Sequence, residues 1–401
     1  MGTVLLLARL LPPLQFGLFA TAMSISYIAT LFADFGFVIR ALREIGAHPE
    51  NASVIMAAAV RGKMILTIAV SAIAAITCLF LPLEKSALIV VSIIWIATFL
   101  NSFGDTALVA FRSLRAFDRE VRVIAVTFAI HMAIMLTGYI LHLPLLWIAC
   151  LYLATRAIYT FVAFRSLVSI CPLQGLLSRN LSDFFHLLRS SVSYAIDSIL
   201  TNVLAQLDGI LVPALLGLHA AGIYQAGSRL VQGLLLFSAI LSTYHIPQMS
   251  YEHSQGRLQF RTAGLRVMAE FGGLGLVGAL SFVIGGPIYV AYFLDPSYAD
   301  LNHLWLGFAA FAVARFLTGG LGSFLVANGM SYIRPLCTFF AGCVTIGLYF
   351  LLLPSFGLAA VPWVTTSGTI VLLAGYIIIT LRINSKHKDL NLDGRINSEN
   401  K

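Results

Sequence analysis

Apolar residues along this chain come in runs of about twenty, separated by short polar connections. A run of that length crosses the hydrocarbon core of a bilayer as one helix, in which every backbone N–H and C=O is satisfied within the segment. Eleven such runs fall at approximately 16–38, 64–83, 86–111, 121–143, 145–168, 192–216, 221–246, 267–293, 301–327, 335–353 and 356–381, and a shorter one opens the chain at 1–11. The pattern predicts an all-α, polytopic membrane protein of about twelve transmembrane helices. The opening run covers only about 16 Å at ~1.5 Å per residue, roughly half a bilayer, so the first helix is expected to be truncated and the N-terminus incomplete. No basic stretch precedes it and no small-residue cleavage site follows, which argues against a signal peptide.

Composition removes the soluble alternatives. Of 401 residues, 59% are apolar and only 10% charged, against roughly 25% charged in soluble domains. The net charge of +8 does not point to nucleic acid, because the basic residues are spread over many short connections. Of the 25 Lys and Arg, 20 fall in or beside alternate connections and the C-terminal tail, whereas the intervening connections hold Lys85 alone. The positive-inside rule then puts both termini in the cytoplasm with an even number of spans. Cys78, Cys150, Cys171, Cys337 and Cys343 show no paired or metal-ligand spacing and read as small core residues. No polar connection exceeds about twenty residues, too few for a folded soluble domain.

A repeat divides the spans. Leu10-Leu11-Pro12-Pro13-Leu14-Gln15-Phe16-Gly17-Leu18-Phe19 aligns without gaps on Leu215-Leu216-Gly217-Leu218-His219-Ala220-Ala221-Gly222-Ile223-Tyr224, at an offset of 205. Each copy lies between the first and second span of its half. Two six-helix lobes are therefore expected, an N-terminal one over 1–170 and a C-terminal one over 192–382, joined by a cytoplasmic linker over 171–191 and followed by a disordered tail over 383–401. Parallel repeats of this kind build transporters with a cavity between the lobes.

The residues of the repeat also carry a likeness. Arg9-Leu10-Leu11 followed by Phe16-Gly17-Leu18-Phe19, then Asp34-Phe35-Gly36 and Arg40, and in the second half Asp208, Gly217, Gly222-Ile223-Tyr224, Ala226 and Arg229, resemble the polysaccharide-transporter branch of the multidrug/oligosaccharidyl-lipid/polysaccharide exporters, which includes the Wzx-type O-antigen flippases. The resemblance covers nearly the whole chain. It implies a flippase that moves a polyprenyl-pyrophosphate-linked oligosaccharide across the bacterial inner membrane for O-antigen, capsule or exopolysaccharide export. Membrane lipid, and a polysaccharide polymerase with its chain-length machinery, are the partners it implies.

Four arginines lie inside the expected spans: Arg9, Arg156, Arg229 and Arg315. A charge at mid-bilayer costs about 2.5–3.5 kcal/mol on insertion scales, so such residues face a wet cavity or a partner. Guanidinium holds phosphate oxygens bidentately while remaining charged, so these four are the candidate lumen residues for a pyrophosphate headgroup. The alternative is structural: ion pairs with Asp197 and Asp208, or snorkelling of Arg9 and Arg229 to the interface. Asp197 and Asp208 stand three helical turns apart and are candidates either for ion coupling or for those pairs. Asp34 and Asp105 read as helix caps or loop anchors, and His131 and His245 as hydrogen-bonded core residues. Phe16, Tyr27, Tyr152, Tyr159, Tyr224 and Tyr244 are candidates for stacking on sugars or for packing.

Other motifs drop out. Gly273, Gly275 and Gly278 match a dinucleotide-binding pattern but lie inside an apolar span, where small residues serve helix contact. No cofactor, no metal site and no enzymatic activity are expected. The rival functions are a cation-coupled multidrug exporter, whose cationic substrates would favour carboxylates over arginines, and a membrane-embedded polysaccharide polymerase or ligase, which would need a larger external loop than the ten residues near 294–302.

Overall fold

The computed structural model describes residues 2–79, 84–173, 181–254, 264–330 and 333–399, with all side chains in those ranges except those of 2–4, 78–79, 181–183, 197, 201, 253–254 and 382–399. Among the described residues there is no strand. The helices are α1 (Gly2–Leu10), α2 (Pro13–Asp34), α3 (Phe37–Ala47), α4 (Ala52–Leu79), α5 (Lys85–Ser113), α6 (Phe117–Ile140), α7 (Leu145–Val168), α8 (Leu181–Ala205), α9 (Asp208–Ser254), α10 (Leu265–Phe293), α11 (Trp305–Ala327), α12 (Ile333–Phe356) and α13 (Val361–Glu399).

Nine helical stretches among the described residues are long and apolar enough to cross a membrane. Two of them, Ser198–Glu252 and Ile333–Leu381, have 55 and 49 residues, each more than twice the ~20 that one crossing needs. The first is interrupted at Gly217 and the second by the short 3₁₀ turn Gly357–Ala360. The nine stretches thus comprise eleven crossings, and the nine-residue α1 is the short helix that the opening run predicts. Large apolar side chains such as Ile68, Ile73, Phe161, Ile284 and Leu351 point outward from these helices. That is a heavy penalty in water and none in lipid.

The chain forms two compact units, Gly2–Pro213 and Ala214–Lys401. In the first, α5 packs against α2 and α7, while α8 lies against α2, α3 and α4. Its core gathers Phe37, Ile45, Met56, Phe111, Ala163 and Leu167. In the second, α11 packs between α10 and α13, with α12 against α13. Phe271, Phe316 and Phe324 form one core there, and Leu321, Leu325, Leu372 and Tyr376 another. The close approach of α10 to α11 accounts for Gly275, where a Cβ would come within 3.2 Å of the Val313 backbone and 3.1 Å of Phe316 Cβ, and Gly278 instead admits Leu234 of α9.

Each copy of the repeat marks a helix break. Pro12, extended at φ −58 and ψ 155, precedes α2. Its counterpart Gly217 interrupts α9 at φ 85 and ψ 170, a region that essentially only glycine enters. The Asp34-Phe35-Gly36 motif has an equally local cause. Phe35 and Gly36 both take positive φ, 39 and 72, and turn the chain from α2 into α3. Gly36 also meets the α8 backbone, where a Cβ would lie 2.6 Å from Ala195 N.

Candidate functional site

The first unit concentrates its charged groups where α2, α4, α5 and α7 meet. Asp34 ends α2, and Lys63 lies eleven residues into α4. The Lys63 ammonium is fully buried and paired with Asp34. It also donates to the Ser102 carbonyl at 2.7 Å, Ser102 Oγ at 2.6 Å and Thr106 Oγ1 at 2.8 Å. All three protons of the ammonium thereby find oxygen acceptors, as a buried charge requires.

One turn away on α5, Asn101 and Asp105 link this region to α7. Asn101 Nδ2 donates to Asp105 Oδ2 at 2.9 Å, and Tyr159 OH donates to Asp105 Oδ1 at 2.7 Å. Arg156 Nη1 donates to Asn101 Oδ1 at 2.9 Å, and the guanidinium lies over the Tyr152 ring, 5.0 Å from its centroid. Gly104 makes room for this arrangement, since a Cβ there would clash with the edge of the Tyr159 ring. The Asp105 side chain is accessible and Arg156 is half-buried. Among the described residues neither one is in an ion pair.

The second unit holds its own cationic group. Arg315, on α11, has an accessible side chain although protein surrounds it on most sides, and Arg334 of α12 and Tyr376 of α13 are its electrostatic neighbours. Gly322, two turns along α11 from Arg315, leaves space for Arg334 and Tyr376: a Cβ there would sit 3.6 Å from Arg334 Nε and 3.5 Å from the tyrosine ring. Neither arginine is in an ion pair among the described residues, so the two guanidiniums face one another's charge without a carboxylate between them.

The remaining candidates are dispersed. Arg9 ends α1 and is exposed. Arg229 of α9 is half-buried and donates to Gln232 Oε1 at 3.1 Å. Asp208 begins α9 and accepts from the Gly209 N–H at 2.8 Å. Asp197 is on α8, and its side chain lies outside the described residues. Phe16 and Tyr224 are core residues with no free face. His131 hydrogen-bonds Thr155 at 2.9 Å, and His245 meets Glu270 at 2.7 Å, so both histidines are buried and partnered.

The sequence pattern assigns Lys63 and Asn101 no site role and reads Asp34 and Asp105 as caps or loop anchors. Asp34 and Asp105 are network residues, not caps or loop anchors, because Lys63 of α4 meets the first and Tyr159 of α7 the second. The available signal was a Lys beside an apolar run together with carboxylates within two turns of other span ends, which is the composition of an interhelical pair.

A chain of bilayer-length helices with ionised groups held among them has the build of a polytopic transporter. The profile of the family described as polysaccharide biosynthesis protein matches residues 1–252, and the chain belongs to that family. Among solved structures, the fold is similar to an inward-facing multidrug-resistance MATE family transporter of the MOP superfamily, with a TM-score of 0.77 at 14% identity, covering 96% of this chain and 94% of the other. It is similar to the lipid II flippase MurJ in an inward closed conformation, with a TM-score of 0.70 at 10% identity, covering 95% and 86%. A MOP superfamily transporter from Pyrococcus furiosus, whose reverse binding-pocket polarity suggests a different function, matches with a TM-score of 0.62 at 14% identity over 95% and 90%. No curated protein matches at a significant level.

Proposed function

We infer that this chain is a flippase that carries a polyprenyl-pyrophosphate-linked oligosaccharide across the bacterial inner membrane by alternating access, with both termini in the cytoplasm, in the export of O-antigen, capsule or exopolysaccharide. The observation that carries this reading is the placement of Arg156 and Arg315. Each is a guanidinium inside a bilayer-length helix, outside any ion pair among the described residues, and with part of its surface left uncovered by protein. Holding such a charge in hydrocarbon is unfavourable, and an anionic cargo is the partner that turns the cost into recognition. Membership of the polysaccharide biosynthesis family and the likeness to a lipid II flippase support the same cargo chemistry. In this reading Arg156 in the first unit and Arg315 in the second are each a phosphate-binding guanidinium of their own unit, Arg9 and Arg229 are further basic residues for the cargo, and Asp197 and Asp208 serve coupling or interhelical pairing.

The rival reading, a multidrug exporter, is favoured by the MATE likeness. A deletion of the gene in its own host separates the two. The flippase reading expects loss of surface polysaccharide with accumulation of the lipid-linked precursor in the inner leaflet, restored by the wild-type gene and not by Arg156→Gln or Arg315→Gln at matched protein level. Normal polysaccharide together with raised sensitivity to cationic drugs would establish the exporter instead.

A further inference from the structure

Asp105 and Arg156 are joined through a single amide. Asn101 and Asp105 are four residues apart on α5 and share a face. The Asn101 NH2 donates to the carboxylate of Asp105 and its oxygen accepts from Arg156, both at 2.9 Å. The chemistry dictates that orientation: a guanidinium only donates and an ionised carboxylate only accepts, so the reverse amide would break both bonds. The second Asp105 oxygen takes the Tyr159 hydroxyl at 2.7 Å.

The charged and titratable groups around Asp105 are Tyr27 and Asp34 from α2, Lys63 from α4, Arg112 from α5 itself, and Tyr159 and Arg156 from α7. Lys63 and Asp34 neutralise each other. Arg112 is engaged by Glu120 of α6 at 2.6 Å, and Arg40 of α3 is engaged by Glu44 at 2.7 Å. Asp105 is left as a carboxylate that accepts two neutral donors, has no cation within ion-pair distance among the described residues, and keeps part of its surface uncovered by protein.

We propose that Asp105 sets, through Asn101, how firmly Arg156 holds an anionic phosphate headgroup, so that protonation of Asp105 and binding of the anion reinforce each other. The proposal rests on the reading of Arg156 as a headgroup ligand. With Asp105 ionised, its charge polarises the Asn101 amide, strengthens the hold of Oδ1 on Arg156, and lowers the potential that an arriving phosphate meets. With Asp105 protonated, one negative charge is gone, the pull on the amide slackens, and the guanidinium turns its donors to the phosphate. By linkage, a bound phosphate must then raise the proton affinity of Asp105 by the same factor. The bound proton offsets one unit of the negative charge that the headgroup brings among apolar helices. No bond other than O–H is made or broken, and solvent supplies the proton.

The experiment uses the purified full chain in detergent with farnesyl diphosphate as the probe, its affinity measured by calorimetry between about pH 5.5 and about pH 8.5. The ligand's own titration is common to all variants and cancels when the wild type is divided by Asp105→Asn. That ratio is expected to shift by about tenfold across the range, tighter on the acid side for the wild type. Asn101→Ala is expected to lose most of the shift, and wild-type binding in weak buffer to take up more protons than binding by Asp105→Asn. Proton uptake by the wild type beyond what the diphosphate's own titration accounts for needs no variant to fold. A flat ratio overturns the linkage and leaves the phosphate site standing, provided Arg156→Gln has lost binding. Full retention of the shift in Asn101→Ala overturns the amide relay. Wild-type affinity in Arg156→Gln removes the headgroup reading itself, and the linkage with it.

Discussion

Lys63 on α4 sets its ammonium against the Asp34 carboxylate at the end of α2, and the two are held there by Ser102 and Thr106 of α5. Three helices of the first unit are tied at one polar point inside an otherwise apolar contact. The geometry also gives the Asp34-Phe35-Gly36 motif a physical meaning: the carboxylate serves the ammonium, and the next two residues reverse the chain toward α3.

Breaking this pair from the lysine side leaves the Asp34 carboxylate, which is a quarter exposed, without its partner. Lys63→Met is expected to destabilise the protein by about 1–3 kcal/mol, and Asp34→Asn with Lys63→Met to recover part of that, because the second change removes the stranded charge. Thermal unfolding of the purified variants, followed by tryptophan fluorescence, measures both. A double variant no more stable than Lys63→Met would mean that the penalty lies in lost packing and not in the uncompensated carboxylate.

Gly217 and Gly46 make opposite demands on a side chain. Gly217 sits at φ 85 and ψ 170, so Gly217→Ala is expected to cost about 1–3 kcal/mol even though nothing lies within 4 Å of the added methyl. Gly46 is helical in α3 with open space around it, and Gly46→Ala is expected to gain about 0.5–1 kcal/mol by helix propensity. Opposite shifts in unfolding temperature are the result to look for. Equal shifts would show that the backbone at Gly217 relaxes into an ordinary helix.

The equivalence of Pro12 and Gly217 was legible in the sequence as a gapless repeat, and the structure puts a helix break at both positions. The spans were legible too, because hydrocarbon imposes one length and one composition on every crossing. What hydropathy could not supply was pairing between helices. Lys63 read as part of a basic connection because the method ends a span at the first charge, whereas the helix continues through it from Ala52. Asn101 escaped notice and Asp105 read as a cap or loop anchor for a related reason: their role depends on α7 placing Arg156 and Tyr159 opposite them, a contact across more than fifty residues that no local pattern encodes.

Outside the spans, Asp295 precedes the 3₁₀ turn Pro296–His303 and accepts from Ser297 Oγ at 2.6 Å and Ser297 N at 2.9 Å. The Ser297 hydroxyl and then its backbone N–H hold the carboxyl below the usual carboxylate range. A depressed folded-state value stabilises the turn fully above the unfolded pKa of about 3.9, and the contribution is lost as pH falls through the folded value. Protection of the Ser297 amide, corrected for intrinsic exchange, is therefore expected to fall in acid and to be low at every pH in Asp295→Ala. An Asp295→Ala profile that follows the wild type would remove the cap as its cause.

Arg315 and Arg334 set the function of the second unit against its stability. Two guanidiniums that sense each other's charge without a carboxylate between them repel, and the repulsion across partly wet surroundings amounts to about 1 kcal/mol or less. Arg334→Gln removes the repulsion while keeping a polar side chain next to Gly322. Its unfolding temperature is expected to rise by about 2–4 °C per kcal/mol gained in a unit of this size. If the pair is kept for an anionic cargo, the same variant should export less polysaccharide than the wild type at equal abundance. Stabilisation with reduced export is the signature of a charge retained for binding. Destabilisation would instead mean that Arg334 serves the second unit through its packing beside Gly322 of α11, and the anion role in this unit would then fall to Arg315 alone.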